Sequence, residues 1–155
     1  MPQQPNYLLS VDPGLATGAA LIDIHDPENP VPVWDAELTI QEFYAMIEHT
    51  VENYGTELAI VWEDFHITVE TAKKTPQPWS LHLIGVMLYF CWKHDIPFAV
   101  QSPVRKGFAS NDKLRHVGFW HKGDHGHAND AFRHAMIYLV DNYPNWARKL
   151  ILPTK

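Results

Sequence analysis

Cysteine is nearly missing from this sequence of 155 residues: Cys91 stands alone. A single thiol forms no disulfide within the chain and no cysteine-based zinc site, and it fits a reducing compartment. Long apolar runs are missing too. The most apolar stretch, Leu83 to Trp92, is too short to cross a bilayer. No basic segment precedes the first apolar run in MPQQPNYLLSVD, so the start does not read as a signal peptide. The expectation is a soluble, cytoplasmic protein. The sharpest absence is of positive charge. Residues 1–72 contain no Lys or Arg but 13 Asp and Glu, whereas residues 73–155 hold all 12 Lys and Arg and 5 Asp and Glu. The two parts carry −13 and +7, which gives the net −6. That asymmetry reads either as a surface built to meet a polyanion or as opposite charges meeting across the fold.

What is present is a folded-protein composition, 46% hydrophobic and 19% charged. The length suits one domain, residues 1–155, with a sizeable core. Tyr7 to Asp12 reads as a strand ending in an aspartate, followed by the turn signal Pro13-Gly14. Gly18 to Ile24 reads as its hairpin partner and Val33 to Thr39 as a third strand. Ile40, Phe43, Tyr44, Ile47 and Val51 recur at helical spacing, which predicts a helix over 40–54 ended by Gly55. Leu58 to Trp62 is a short continuous apolar run, the mark of a buried central strand, and it runs into Glu63-Asp64. His66 to Pro78 is polar and reads as a loop or loose helix. Trp79 to His94 is helical and apolar nearly all round, which predicts burial in the core or at a subunit interface. Pro97 to Gln101 is a final strand, Asp112 to Val117 a short helix, and His127 to Asn142 the last helix. Three meandering strands followed by alternating helices and strands imply an α/β fold with a mixed sheet flanked by helices.

The last helix opens HANDAFRHA, residues 127–135. His127, Asp130 and His134 are spaced three and four apart, so they share one helical stripe. If the first and fourth strands are parallel neighbours, Asp12 and Glu63 meet at one end of the sheet and Asp130 closes over them. Clustered carboxylates repel unless a cation lies between them. Hard oxygen donors suit Mg²⁺ or Mn²⁺, and two such ions can clamp a phosphodiester. Asp64 is assigned to the opposite side of the strand from Glu63 by alternation.

With these residues in view, the sequence resembles the RuvC family of Holliday junction resolvases, within the ribonuclease H-like superfamily, and is most similar to its bacteriophage branch. The resemblance is carried by SVDPGLATG at the first strand, AIVWEDF at the fourth and HANDAFRHA on the last helix. It implies a ribonuclease H-like fold with a five-stranded mixed sheet. It implies metal ligands at Asp12, Glu63 and Asp130, with His127 at the family's fourth position, binding metal or handling a proton beside the attacking water. Two Mg²⁺ or Mn²⁺ ions per site and a homodimer are implied with it, and a phage origin would place the protein in a bacterial host's cytoplasm. His134 fits the family's helix without an assigned role. Phe65 lies where a family aromatic wedges into the junction.

The implied activity is endonucleolytic resolution of four-way junctions and related branched DNA, leaving 5′-phosphate ends. Lys73, Lys74, Arg105, Lys106, Lys113, Arg115 and Lys122, in loops of the basic half, are candidate phosphate contacts. Trp79, Phe108 and Trp120 either stack on unpaired bases or pack in the core. Two competing readings stand beside this one. One is a less selective nuclease cutting flaps, forks or RNA–DNA hybrids. The other is a non-catalytic junction-binding protein, since fold does not fix function. A zinc site at His121, Asp124, His125 and His127 is a further alternative. So is an actin-like phosphate loop at the DPG turn, although this chain is too short for a two-lobed kinase.

Overall fold

The computed structural model describes residues 4–74, 78–123 and 126–150. Asp124 and His125 of the alternative zinc set lie outside them. Five strands form one mixed sheet: β1 (Tyr7–Asp12), β2 (Thr17–Asp23), β3 (Val31–Leu38), β4 (Leu58–Glu63) and β5 (Phe98–Gln101), in the order β3-β2-β1-β4-β5. β1 to β3 form an antiparallel meander, while β4 runs parallel to β1 and β5 parallel to β4. Among the described residues six α-helices join it: α1 (Ile40–Tyr54), α2 (Val69–Lys74), α3 (Trp79–Lys93), α4 (Asn111–His116), α5 (His127–Asn142) and α6 (Pro144–Arg148). A 3₁₀ turn spans Pro103–Phe108, where the sequence shows only a basic loop.

Alternation along the strands divides the core in two. Leu8, Ala20, Ile22, Ala59 and Val61 face α5, where they meet Ala131, Phe132, Ala135, Met136 and Leu139. Leu9, Val11, Leu21, Ile60 and Trp62 face the other way, against Phe43 and Ile47 of α1 and Leu83 and Met87 of α3. β1 and β4 are buried on both faces, which explains the unbroken apolar run of β4; in β1 the one interior polar residue, Ser10, is itself buried.

The expected α1 forms over the expected residues. Thr39 caps it with a reciprocal bond pair to Glu42, and Gly55, at φ +42°, ends it. β3 starts earlier than expected and takes in Pro32. A proline is tolerated there because β3 is an edge strand and needs no further ladder bond on its outer side. α2 forms inside the polar segment after β4, and α6 follows α5 directly. α3 forms as expected, but it buries only Leu83, Ile84, Met87 and Cys91. Leu88, Tyr89 and Trp92 stay exposed, Trp92 at 85%. None of the described helices is long and apolar enough to span a membrane.

Candidate active site

Three strands end in polar side chains on the same face of the sheet. Asp12 follows Leu8 and Ser10 in phase, Glu63 follows Ala59 and Val61, and Gln101 follows Ala99, so all three turn toward α5. β1, β4 and β5 are parallel, so these three residues also share one end of the sheet, beyond the carboxyl ends of the strands. That is where open α/β sheets place their ligands.

α5 is seated over this end by two local devices. Ser10 donates from Oγ to the Ala131 carbonyl at 2.6 Å. Gly18, opposite Asp12 in the β1–β2 register, lies under the start of α5, where a Cβ would come within 1.8 Å of the His127 carbonyl oxygen. Only a residue without a side chain allows this approach. Gly126 offers no side-chain cap to α5. Glu37 of β3 accepts from the His127 amide at 3.0 Å instead, which places a carboxylate at a helix N-terminus.

Among the described residues, one group of three metal-ligating side chains is brought together: Asp12, Glu63 and His134, whose ligand atoms all lie within 4.8 Å of one another. Asp12 is 13% exposed and His134 is fully buried. His134 Nε2 lies 2.8 Å from Glu63 Oε2, and its Nδ1 lies 2.8 Å from Gln101 Oε1. The Gln101 amide donates from Nε2 to the His134 carbonyl at 3.1 Å, which orients its oxygen as the acceptor for Nδ1–H. Nε2 is thereby turned toward the carboxylates, as in metal sites where the second ring nitrogen fixes the tautomer.

Asp130 and His127 border this group. Asp130 accepts from Arg133 at 2.8 Å and from Lys106 at 3.3 Å. Lys106 also lies 2.7 Å from Glu63 Oε2. His127 Nδ1 is 3.4 Å from Asp12 Oδ2, on a side chain 44% exposed. Asp64, in the opposite phase, accepts from the Phe65 amide and pairs with His66, away from the cluster.

The electrostatics of the cluster divide its two strand-end carboxylates. Burial pushes the Asp12 carboxyl up to about 6; Glu63 and Asp130 reinforce the rise, while Lys106 and His134 oppose it. Burial also works to raise Glu63, but hydrogen bonds from His134 and Lys106 outweigh it and hold Glu63 below its usual value. Burial works to lower Lys106, yet its bond to Glu63 and the surrounding carboxylates raise it. A buried carboxylate short of positive charge, a second carboxylate and an oriented imidazole suit a divalent cation by donor chemistry.

The candidate phosphate contacts are spread over several elements, with Lys113 and Arg115 on α4. Lys73 and Lys74 lie on α2, after β4; Arg105 and Lys106 lie in the turn after β5; Lys122 lies just before α5. Several have partners within the chain. Lys74 pairs with Glu70, and Arg105 makes a bidentate pair with Asp141. Lys113 lies over the Phe108 ring and Arg115 over the Trp120 ring. Phe65 packs, half-buried, against the α1–α3 side of the core. Trp120 packs against the α5 side, and Phe108 is exposed. His121 bonds to Asp35, which fixes the loop leading into α5.

Sequence reasoning left the roles of Gln101 and Arg133 unread. The available signal for Gln101 was a polar residue ending an apolar strand, as Glu63 does. Arg133 carried none, because its link to Asp130 depends on which face of α5 turns inward.

Neither a protein-family model nor a curated relative matches the sequence. Solved structures do. Thermus thermophilus RuvC in complex with a Holliday junction substrate is similar over 92% of this chain and 94% of its own, with a TM-score of 0.59 at 17% identity. The fowlpox virus Holliday junction resolvase is similar over 87% of this chain and 98% of its own, with a TM-score of 0.55 at 13% identity. The yeast mitochondrial Holliday junction resolvase Ydc2 is similar over 96% of this chain and 82% of its own, with a TM-score of 0.54 at 14% identity. At these identities the likeness establishes the fold, which is that of the resolvases.

Proposed function

We propose that this protein is a metal-dependent DNA endonuclease that resolves four-way junctions and related branched DNA. The observation that carries the reading is the convergence of Asp12, Glu63 and His134 within 4.8 Å at the carboxyl end of the sheet. The fold shared with three Holliday junction resolvases supports the choice of substrate. A purely structural protein has little reason to bury an aspartate beside two further carboxylates, since that placement costs stability.

In this reading Asp12, Glu63 and His134 hold a divalent ion, Mg²⁺ or Mn²⁺, and Asp130 and His127 complete the surroundings, with room in the family pattern for two ions. A bound ion supplies a more acidic water and a counter-charge for the developing phosphorane. The protein's own groups do the rest. Gln101 keeps the imidazole of His134 in one orientation. His127, exposed at the mouth and beside Asp12, accepts a proton from the attacking water or returns one to the leaving oxygen. Attack at phosphorus with departure of the 3′ oxygen leaves a 3′-hydroxyl and a 5′-phosphate. Lys73, Lys74, Arg105, Lys113, Arg115 and Lys122 contact the backbone phosphates, which fix the register of DNA without reading sequence. Paired nicks in a symmetric junction call for two sites related by a two-fold axis. The exposed Leu88, Tyr89 and Trp92 of α3 offer an apolar face for such a homodimer.

The test is cleavage of a synthetic four-way junction and the matching linear duplex in Mg²⁺, Mn²⁺ or EDTA. Paired nicks confined to the junction and abolished by EDTA are expected. Preferential cutting of flaps or RNA–DNA hybrids would replace this reading with a broader nuclease, and binding without cutting in either metal would overturn the enzymatic assignment.

A further inference from the structure

Lys106 stands apart from the other candidate phosphate contacts because it enters the carboxylate cluster. The 3₁₀ turn at Pro103–Phe108 follows β5 immediately, and Ser102 caps it by accepting from the Val104 amide. β5 lies beside β4, with Gln101 opposite Glu63, so the turn carries Lys106 over the end of β4. Its ammonium lies 2.7 Å from Glu63 Oε2 and 3.3 Å from Asp130 Oδ2, on a side chain only 26% exposed. It therefore bridges the second and third carboxylates of the site, where a cation shared by those two groups would otherwise lie.

Charge counting sharpens the point. Asp12, Glu63 and Asp130 contribute three negative charges, and Lys106 and Arg133 two positive ones, which leaves the neutral-imidazole site at −1. One divalent ion takes it to +1. A second, with Lys106 in place, takes it to +3 in a partly buried pocket, where like charges repel most strongly. A lysine ammonium is a compact point charge on a flexible stem, so it can neutralise carboxylates as a cation does and can also withdraw.

We infer that Lys106 substitutes for one divalent ion: the folded site accepts a single ion at Asp12, Glu63 and His134, and a second binds between Glu63 and Asp130 only when Lys106 is displaced. This rests on the metal-dependent reading of the site and concerns how many ions it holds.

The experiment is a Mn²⁺ titration of the full chain without DNA, followed by calorimetry and by the electron paramagnetic resonance signal of free Mn²⁺. The wild-type protein is expected to bind one ion per chain. Lys106→Met is expected to bind two, the second at least tenfold more tightly than any second ion in the wild type. Lys106→Arg, which keeps the charge, is expected to retain one. Lys93→Met, at the opposite end of the sheet, controls for general loss of charge and is expected to match the wild type. Should Lys106→Met fail to fold, Lys106→Gln replaces it. A purely structural role for Lys106 would alter thermal stability without altering the number of ions. Equal stoichiometry and affinity in wild type and Lys106→Met would overturn the inference while leaving the metal-dependent reading intact. Absence of Mn²⁺ binding in every variant would overturn both.

Discussion

Replacing Asp12 by asparagine is expected to stabilise the metal-free protein at neutral pH while abolishing cleavage. Asp12 ends a strand buried on both faces, with Glu63 and Asp130 nearby, and its carboxyl is raised from 3.8 to about 6, chiefly by burial. A group whose folded pKa lies above its unfolded value holds its proton more tightly when folded. Its contribution to stability is fully present below about 3.8 and is lost as pH rises through about 6. The full displacement corresponds to about 3 kcal/mol, an order-of-magnitude figure for a side chain this well shielded. Asparagine has nearly the same shape and nothing to ionise. Urea unfolding in EDTA at pH 4, 5, 6 and 7 measures the difference between the variant and the wild type. Because Glu63 and the other carboxylates titrate in both proteins, that difference isolates Asp12 to first order. It is expected to move in favour of the variant by about 2 kcal/mol between pH 4 and pH 7, most of the full displacement. Mn²⁺ is then expected to restore the wild type by about 2.7 kcal/mol at a hundredfold excess over its dissociation constant and to do far less for the variant. A flat difference across pH, or one that moves toward the wild type, would refute the claim that Asp12 is held charged against its surroundings.

Two further outcomes are expected from the devices that seat α5. Gly18→Ala places a methyl group into the His127 carbonyl and is expected to cost about 1–3 kcal/mol in urea unfolding, as overpacking does, with slower junction cleavage because His127 moves. Gln101→Ala strips the acceptor from His134 Nδ1 and is expected to weaken Mn²⁺ binding by about 10- to 100-fold, the usual cost of losing a partner of a ligating histidine; unchanged affinity by calorimetry would remove Gln101 from the site.

Much of the architecture was legible because it follows from local patterns. A continuous apolar run marks β4 as a doubly covered strand, and the helical spacing of Phe43, Ile47 and Val51 with Gly55 after it bounds α1. The candidate residues Asp12 and Glu63 were legible for a related reason, since a carboxylate at the end of a buried strand stands out from its neighbours. Other features depended on context. Pro32 argued against a strand at its own position, and only the sheet edge makes it acceptable. The apolar composition of α3 promised burial on several sides, yet a single chain covers one face of it and leaves Trp92 in solvent.

The sequence by itself determined which residue types are available and where each element carries them: carboxylates at two strand ends, histidines and an aspartate on one helical stripe, and cations confined to the second half. These depend on periodicity, which a one-dimensional pattern contains. Only the tertiary structure decided the distances across elements. It turned His134 inward onto Glu63 and Gln101, kept His127 at the mouth, and carried Lys106 from a basic loop into the carboxylates. Which of two histidines seven residues apart becomes the buried one is set by how α5 packs on the sheet, with Gly18 beneath its first turn and Ser10 bonded to its backbone. Those contacts join residues more than a hundred positions apart, and no local pattern encodes them.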